Sequence, residues 1–145
     1  MDNPLQALPA GQAGRVHLLM ALLTASSVLH SWDARREAAW ASSDPAALRA
    51  LYAPASSAAR SDVHLLRDYT RRGLVVRRIE TQVLALQVLH FDDRHLRLRL
   101  VDRVAGGDIS GRPLGTTRPK TRVIVFRRAG ADWQVVSVTE RGPRR

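Results

Sequence analysis

Apolar residues recur at helical spacing in the first half of the chain and alternate with polar residues in the second half. The pattern changes at Gly73, a residue type that commonly ends a helix in the left-handed conformation. Helices followed by strands that connect through hairpins are typical of the α+β class. We therefore expect three N-terminal helices packed on a curved, antiparallel sheet of four strands.

The first predicted helix has an apolar stripe with alternating steps of four and three residues, interrupted only by Arg36. It continues through Trp40 and ends near Ser42–Ser43. The residues that we expect to face the core are Leu18, Leu22, Ala25, Leu29, Trp32 and Ala39.

Two shorter helices follow in the prediction. Asp44 and Pro45 begin the second helix, because aspartate accepts hydrogen bonds at an N-cap and proline fits the first turn. This helix extends to about Tyr52, and residues 53–59 are expected to form a loop. The third helix opens at residues 61–64, and its core face is predicted to carry Leu65, Leu66 and Tyr69.

The second predicted strand alternates most regularly. Its apolar face carries Leu96, Leu98, Leu100 and Val104, and a stretch rich in glycine and proline after it indicates a long hairpin loop. The predicted strands are residues 74–90, 95–104, 120–128 and 133–140, with turns at 91–94 and 129–132 and the long loop at 105–119.

The N-terminal residues allow two interpretations. Residues 1–15 contain prolines and glycines and predict a mobile tail. Residues 16–27 are apolar, and they begin either the first helix or a targeting segment that would export the chain. In the second case, residues 16–29 could associate with a membrane. A membrane span needs about 20 apolar residues, and this segment is shorter. The pattern favours neither a cytoplasmic nor an exported location.

The remaining sequence fits one domain at residues 28–140, followed by a basic tail at 141–145. A chain of 145 residues can bury a sufficient apolar core without a metal or disulfide. It contains no cysteine, which excludes disulfides, thiolate nucleophiles and zinc sites built from cysteine.

The net charge is +10, and 22 of the 23 basic residues are arginine, with Lys120 as the one lysine. This bias is typical of a GC-rich genome, and the arginines are spread from Arg15 to Arg145. A positive chain attracts anions in general, but this distribution does not indicate nucleic acid as a partner.

The order of elements resembles the nuclear transport factor 2-like superfamily, which includes SnoaL-like and ketosteroid-isomerase-like proteins. The resemblance rests on the segments Trp40–Leu48, Leu51–Tyr52 and Trp133–Val136, and it covers roughly residues 28–140. It implies a cone-shaped fold with a pocket. Residues 53–59 leave no room for the short hairpin that often shapes the pocket mouth in that superfamily. The superfamily includes isomerases, dehydratases, cyclases and proteins without catalysis, so the resemblance assigns no catalytic residue.

Asp102 is the candidate for catalytic chemistry, because it falls on the apolar face of its predicted strand. Burial there would raise the pKa of its carboxyl and suit it to act as a general base. The alternative, which we favour, is an ion pair with an arginine such as Arg122 on the neighbouring strand.

Aromatic residues of the helices are candidates for a ligand pocket, although filling of the core is the explanation that we favour. The pocket candidates are Trp40, Tyr52, Tyr69, Asp102 and Arg122, and Trp32 is grouped with the aromatic residues among them. On the opposite face of the second strand, Arg97, Arg99 and Arg103 with His95 form a basic stripe that is either an anion site or a solvated surface.

No cofactor or metal is indicated. Gly106 and Gly107 lack the Lys-Ser/Thr ending of a phosphate-binding loop. His90 and His95 flank a predicted turn, but two imidazoles alone make a poor metal site.

Three hypotheses for function follow. The first is a non-catalytic domain that binds a small apolar ligand or a protein, with a homodimer packed through the open sheet as one form. The second is a SnoaL-like isomerase, cyclase or hydratase that uses Asp102, with Tyr52 or Tyr69 as hydrogen-bond donor. The third is an exported or membrane-tethered accessory domain.

Overall fold

Helices precede strands in the computed structural model, which describes residues 10–141 and the side chains from Gly14 onward. This order confirms the predicted α+β class. The helices are α1 (Ala10–Ala41), α2 (Pro45–Arg49) and α3 (Ser57–Arg71), and the strands are β1 (Val76–Phe91), β2 (His95–Ile109), β3 (Arg112–Pro113), β4 (Lys120–Ala129) and β5 (Asp132–Arg141).

The strands form one antiparallel sheet in the order β1-β2-β4-β5, and the two-residue β3 pairs with β2 as a fifth strand. The pairing of β1 with β2 shifts register at four places along its length. Such bulges bend strands and increase their twist. The sheet is therefore curved as predicted, and the helices pack on its inner face.

The inner face of the sheet is apolar because the alternation of β2 matches that of β4. Leu96 lies opposite Phe126, and Leu98 lies opposite Ile124. All four side chains are buried, and they form the centre of the core together with residues of the three helices.

Trp32 fixes α1 to this core. Its indole Nε1–H donates to the carbonyl oxygen of Leu51 at 2.8 Å. Its ring packs edge to face on Tyr52 and Phe126, with centroids 5.4 and 6.1 Å away. The backbone of Leu51 also accepts from the amide of Val135 at 3.0 Å, so the segment after α2 is joined to both α1 and β5.

The helix ends differ in part from the prediction. Asp44 caps α2, accepting from the amide of Ala47 at 3.0 Å, but α2 ends at Arg49 and not at Tyr52. Helix α3 begins at Ser57, earlier than the predicted residues 61–64, because the Ser56 side chain caps it. Serines that were assigned to a loop therefore start this helix.

The core faces of the helices are corrected at three positions. In α3, Leu66 is buried but Leu65 is exposed. In α1, Leu18 and Leu22 belong to the predicted stripe and are also exposed. Leu65 is exposed because adjacent helix residues point about 100° apart, so it does not share a direction with Leu66.

Helix α1 begins at Ala10, inside the predicted tail of residues 1–15. It runs without a break through residues 16–27 and through the predicted domain boundary at residue 28. Within residues 10–141, no helix has the length and apolar character needed to cross a membrane. Residues 1–9 of the predicted tail and 142–145 of the basic tail lie outside the described residues.

Strand β2 is longer than predicted, which corrects the expected loop at residues 105–119. It continues to Ile109 because Gly106 and Gly107 pair with β1. At Gly107 the two strands approach closely, since a Cβ added there would lie 2.3 Å from the carbonyl oxygen of Arg78. Its φ of +149° also favours glycine.

Replacing this glycine tests the close approach. We expect Gly107→Ala to lower the free energy of unfolding by roughly 2 kcal/mol or more, because the atom nearest to the added methyl is the backbone carbonyl oxygen of Arg78, which cannot move aside as the end of a side chain can. Urea unfolding followed by circular dichroism measures this change. Gly106→Ala is the matched control, since its added Cβ would meet Glu80 Oε2 at 3.0 Å, the end of a flexible side chain. Equal losses in the two variants would contradict the interpretation.

Candidate functional site

Two adjoining hollows lie between the helices and the sheet. The first has a volume of about 500 Å³ and lies between α1 and β1. The second has a volume of about 410 Å³ and is walled by α1, α3 and the inner faces of β4 and β5. Asp33, Arg36 and Thr81 belong to the walls of both, so the two hollows meet at these residues.

Asp62 of α3 is a buried carboxylate beside the second hollow, and four hydrogen bonds hold it. Arg36 donates from Nε to Oδ2 and from Nη2 to Oδ1, both at 2.7 Å. The Tyr52 hydroxyl donates to Oδ2 at 2.6 Å, and Trp40 Nε1 donates to Oδ1 at 3.2 Å. This cluster joins α1, α3 and the segment after α2.

Each group of the cluster shifts the pKa of its neighbours. Burial disfavours the charged form of Asp62, but the hydrogen bonds and charge of Arg36 outweigh burial, and the pKa of this carboxyl is lowered. Burial and the negative charge of Asp62 raise the pKa of the Tyr52 hydroxyl. Tyr52 therefore keeps its proton at neutral pH, and its hydroxyl donates a hydrogen bond to Asp62.

Asp102 lies on the inner face of β2, as the alternation predicted, and it is 6% exposed. Arg122 of β4 holds it with two hydrogen bonds, one from Nε to Oδ1 at 3.3 Å and one from Nη2 to Oδ2. The structure therefore shows the ion pair that the sequence analysis favoured over a general base. The described residues that line the two hollows include Arg122 but not Asp102.

Asp33 of α1 is the carboxylate that the hollows share. It is half-buried, and burial raises its pKa from 3.8 to about 6. The charges of Arg122 and Arg36 oppose this shift, whereas that of Asp102 adds to it. None of the ion pairs formed among the described residues includes Asp33.

The sequence analysis missed Asp33, although a signal was present. It lies four residues after Leu29 and three before Arg36, so a helix places it on the same side as these two residues. A carboxyl with a pKa near 6 can accept or donate a proton near neutral pH.

The aromatic pocket candidates separate into two groups. Tyr52 and Trp32 line the second hollow. Trp40 and Tyr69 pack edge to face on each other with centroids 5.4 Å apart, and neither is among the described residues lining the hollows. Filling of the core therefore explains Trp40 and Tyr69.

The basic stripe lies on the outer face of the sheet, away from both hollows. Arg97 lies opposite Val125, and Arg99 lies opposite Val123. Arg103 donates from Nε to Gln82 Oε1 on β1 at 2.8 Å. The structure brings none of these arginines to the candidate site.

His90 and His95 flank the turn between β1 and β2, as predicted. His90 Nε2 lies 2.8 Å from Asp92 Oδ2, and His95 Nδ1 lies 3.8 Å from Asp92 Oδ1. The hydrogen bond with His90 and those from two backbone amides lower the pKa of Asp92 to about 2. In the described part of the chain, no three His, Cys, Asp or Glu side chains are placed to hold a metal ion.

Comparison with known proteins supports the fold and leaves the activity open. No family model matches the chain, and no curated protein matches its sequence. Aln2 from a Streptomyces species is similar in structure, with 12% identity, a TM-score of 0.58, and coverage of 81% of this chain and 89% of that one.

Two further solved structures are similar. An NTF2-like protein with a cystatin-like fold from Novosphingobium aromaticivorans has 18% identity, a TM-score of 0.52, and coverage of 92% of this chain and 89% of that one. A protein from Catenulispora acidiphila has 10% identity, a TM-score of 0.58, and coverage of 84% and 94%. The chain has the nuclear transport factor 2-like fold, which confirms the predicted resemblance.

The titration of Asp33 is a direct test of the site. We expect the Asp33 carboxyl to titrate with a pKa of about 6 in a carbon-13 NMR titration. A raised pKa favours folding at low pH, and this contribution is lost as the pH rises from about 4 to about 6. At pH 7, Asp33→Asn should therefore raise the free energy of unfolding by roughly 1–3 kcal/mol. Asp68→Asn, which changes a partly exposed carboxylate of α3, is the control. A titration of Asp33 near 4 would contradict the prediction.

Removing the charge of Asp62 should have the opposite effect. Asp62→Asn leaves Arg36 without its partner, and we expect a loss of about 2–4 kcal/mol in the free energy of unfolding at pH 7. Because the pKa of Asp62 is lowered, the wild-type advantage is complete above about pH 4 and falls as the pH drops through the folded pKa. Urea unfolding at several pH values measures both effects. A pH-independent difference would show that the charge of Asp62 is not what stabilises the cluster.

Proposed function

We propose that the paired hollows bind a small, largely apolar molecule that places a polar group against Asp33. The volumes of about 500 and 410 Å³ lie within the range of small-molecule sites, roughly 300–1,000 Å³. Leu29, Ile79 and Leu86 supply apolar wall in the first hollow. Such walls with a few polar groups are typical of ligand sites.

The observation that carries this proposal is the half-buried Asp33 carboxylate in the wall shared by both hollows. The neighbouring carboxylates Asp62 and Asp102 are each held by an arginine, whereas the ion pairs of the described residues leave Asp33 out. A buried polar group costs free energy unless it finds a partner. A ligand that supplies a hydrogen bond to Asp33 offsets this cost.

The raised pKa of Asp33 favours a second candidate function, an enzyme that uses Asp33 as a general acid or base, such as an isomerase, cyclase or hydratase. Asp33 takes the role that the sequence analysis gave to Asp102. Arg122 lies in the wall of the second hollow but is less suited to stabilise charge on a substrate, because its guanidinium already pairs with Asp102. Tyr52 is less suited as a donor, since its hydroxyl already donates to Asp62.

A panel of polycyclic fragments, each carrying one amine, hydroxyl or carbonyl, tests the proposal. We expect some of them to shift the amide NMR signals of Thr81 and Tyr52, and Asp33→Asn to weaken their binding at least about tenfold, as loss of a buried hydrogen bond does. Binding of amine fragments should strengthen as the pH rises through about 6, because Asp33 then becomes charged.

Asp68→Asn serves as the control and should leave fragment binding unchanged, because this partly exposed residue of α3 is not among the residues that line the two hollows. Equal affinity of Asp33→Asn and wild type would refute the role of Asp33, and the absence of any shift around the hollows would refute the site. Exchange of a fragment's carbon-bound hydrogen for deuterium in heavy water, lost in Asp33→Asn, would favour the proton-transfer enzyme over the binding domain.

A further inference from the structure

The walls of the two hollows carry more negative than positive charge. Among the described residues that line them are five carboxylates and two guanidinium groups. The carboxylates are Asp33, Glu37, Asp62, Glu80 and Glu140, and the guanidinium groups are Arg36 and Arg122. The chain has a net charge of +10, so the hollows are opposite in sign to the chain as a whole.

Both guanidinium groups in these walls are already engaged. Arg36 donates from Nε and Nη2 to Asp62. Arg122 donates from Nε and Nη2 to Asp102, which lies behind the wall. His30 also lines the first hollow, and it is exposed to solvent. Neither guanidinium group is therefore left to compensate the other carboxylates of the walls.

Asp33 and Glu37 are the least compensated of these carboxylates. They are four residues apart on α1, so they lie one turn apart on the same face, with Cβ atoms about 5–6 Å from each other. Both are half-buried, and the ion pairs formed among the described residues include neither of them. Glu80 and Glu140, by contrast, each have an ion-pair partner. Like charges at this helical spacing are destabilising, and a positive group placed between them removes that cost.

The apolar wall beside this pair defines the rest of the ligand. Leu29, Ile79 and Leu86 line the same hollow as Asp33 and Glu37. A metal ion would leave this apolar wall open to water, whereas the body of an organic cation covers it. An ammonium group has several N–H donors, so it can donate to two carboxylates at once.

We infer that the ligand of the hollows is a lipophilic amine, with its ammonium group between Asp33 and Glu37 and its apolar body against Leu29, Ile79 and Leu86. This inference rests on the proposed function and adds the chemical class of the ligand. Hydrogen bonds between two charged groups are roughly twice as strong as those between neutral groups. A neutral alcohol leaves the negative charge of the pair uncompensated, and a carboxylic acid is repelled by it.

Three probes that share a ring system and differ in charge test the inference. They are naphthylmethylamine, naphthylmethanol and naphthoic acid. At pH 7 we expect the amine to bind the wild type at least about tenfold more tightly than the alcohol, because its hydrogen bonds are charge-assisted, and the acid to bind most weakly. Shifts of the amide NMR signals of Ile79 and Thr81 during titration with each probe measure the three affinities.

Removing one charge of the pair tests the role of Glu37. We expect Glu37→Gln to weaken binding of the amine about threefold or more and to leave binding of the alcohol unchanged, because the variant keeps the size of the side chain and loses its charge. Asp93→Asn is the matched control, since it removes a negative charge from the exposed turn between β1 and β2, away from the residues that line the hollows. It should leave binding of the amine unchanged.

A carbon-13 NMR titration of Asp33 gives a readout that is independent of affinity. A positive group beside a carboxylate favours its charged form. Saturating amine should therefore lower the pKa of Asp33 below about 6, and by more than saturating alcohol does. The protein charges that act on Asp33, those of Arg122, Arg36, Asp102 and His30, are the same in both samples.

The outcomes separate this inference from the proposed function. If the alcohol binds as tightly as the amine, or if Glu37→Gln and Asp93→Asn weaken the amine equally, the inference is overturned while the hollows remain a ligand site. An unchanged pKa of Asp33 in the presence of bound amine also overturns it. If none of the three probes shifts the signals around the hollows, the inference and the proposed function are both refuted.

Discussion

The carboxylate of Asp62 holds the helical layer of the domain in place. It accepts hydrogen bonds from Arg36 and Trp40 on α1 and from Tyr52 after α2, while its own backbone belongs to α3. The segment around Tyr52 is joined in turn to β5 through the backbone of Val135. Together with the contacts of Trp32, this charged group fixes the position of α1 over the sheet. This arrangement decides which of its side chains reach the hollows, because α1 supplies wall to both.

The three carboxylates inside the domain differ because their surroundings differ. Asp62 and Asp102 each face an arginine at hydrogen-bond distance, and both serve the structure. Asp33 lies near the same arginines, Arg36 and Arg122, but their guanidinium groups are already engaged. Its charge is therefore only partly compensated. The partly compensated burial of Asp33 lowers the free energy of unfolding at neutral pH. The same burial raises its pKa and so suits it to bind a ligand or accept a proton.

Local sequence rules predicted the local features well. Asp44 begins α2 as its N-cap, and Gly73 follows the end of α3 with a positive φ, as their residue types predict. The alternation of β2 also placed Asp102 on the inner face. The missed features depend on contacts that are distant in sequence. Asp33 lines the hollows because β1, β4 and α3, which are all distant from it in sequence, supply the other walls. The exposure of Leu18 was missed for a similar reason, since periodicity identifies a face of a helix and not the length over which another element covers it.

The bulges in β1 also affect how the protein behaves in concentrated solution. Strand β1 is 16 residues long and lies at one border of the sheet, where the backbone of an intruding chain can add as a further strand. A regular ladder of that length would invite amyloid-like aggregation. Its four register shifts interrupt the ladder, and the charged Arg77 and Arg78 lie near its start. The register shifts of β1 thus help to prevent a further strand from another chain from pairing with this edge of the sheet.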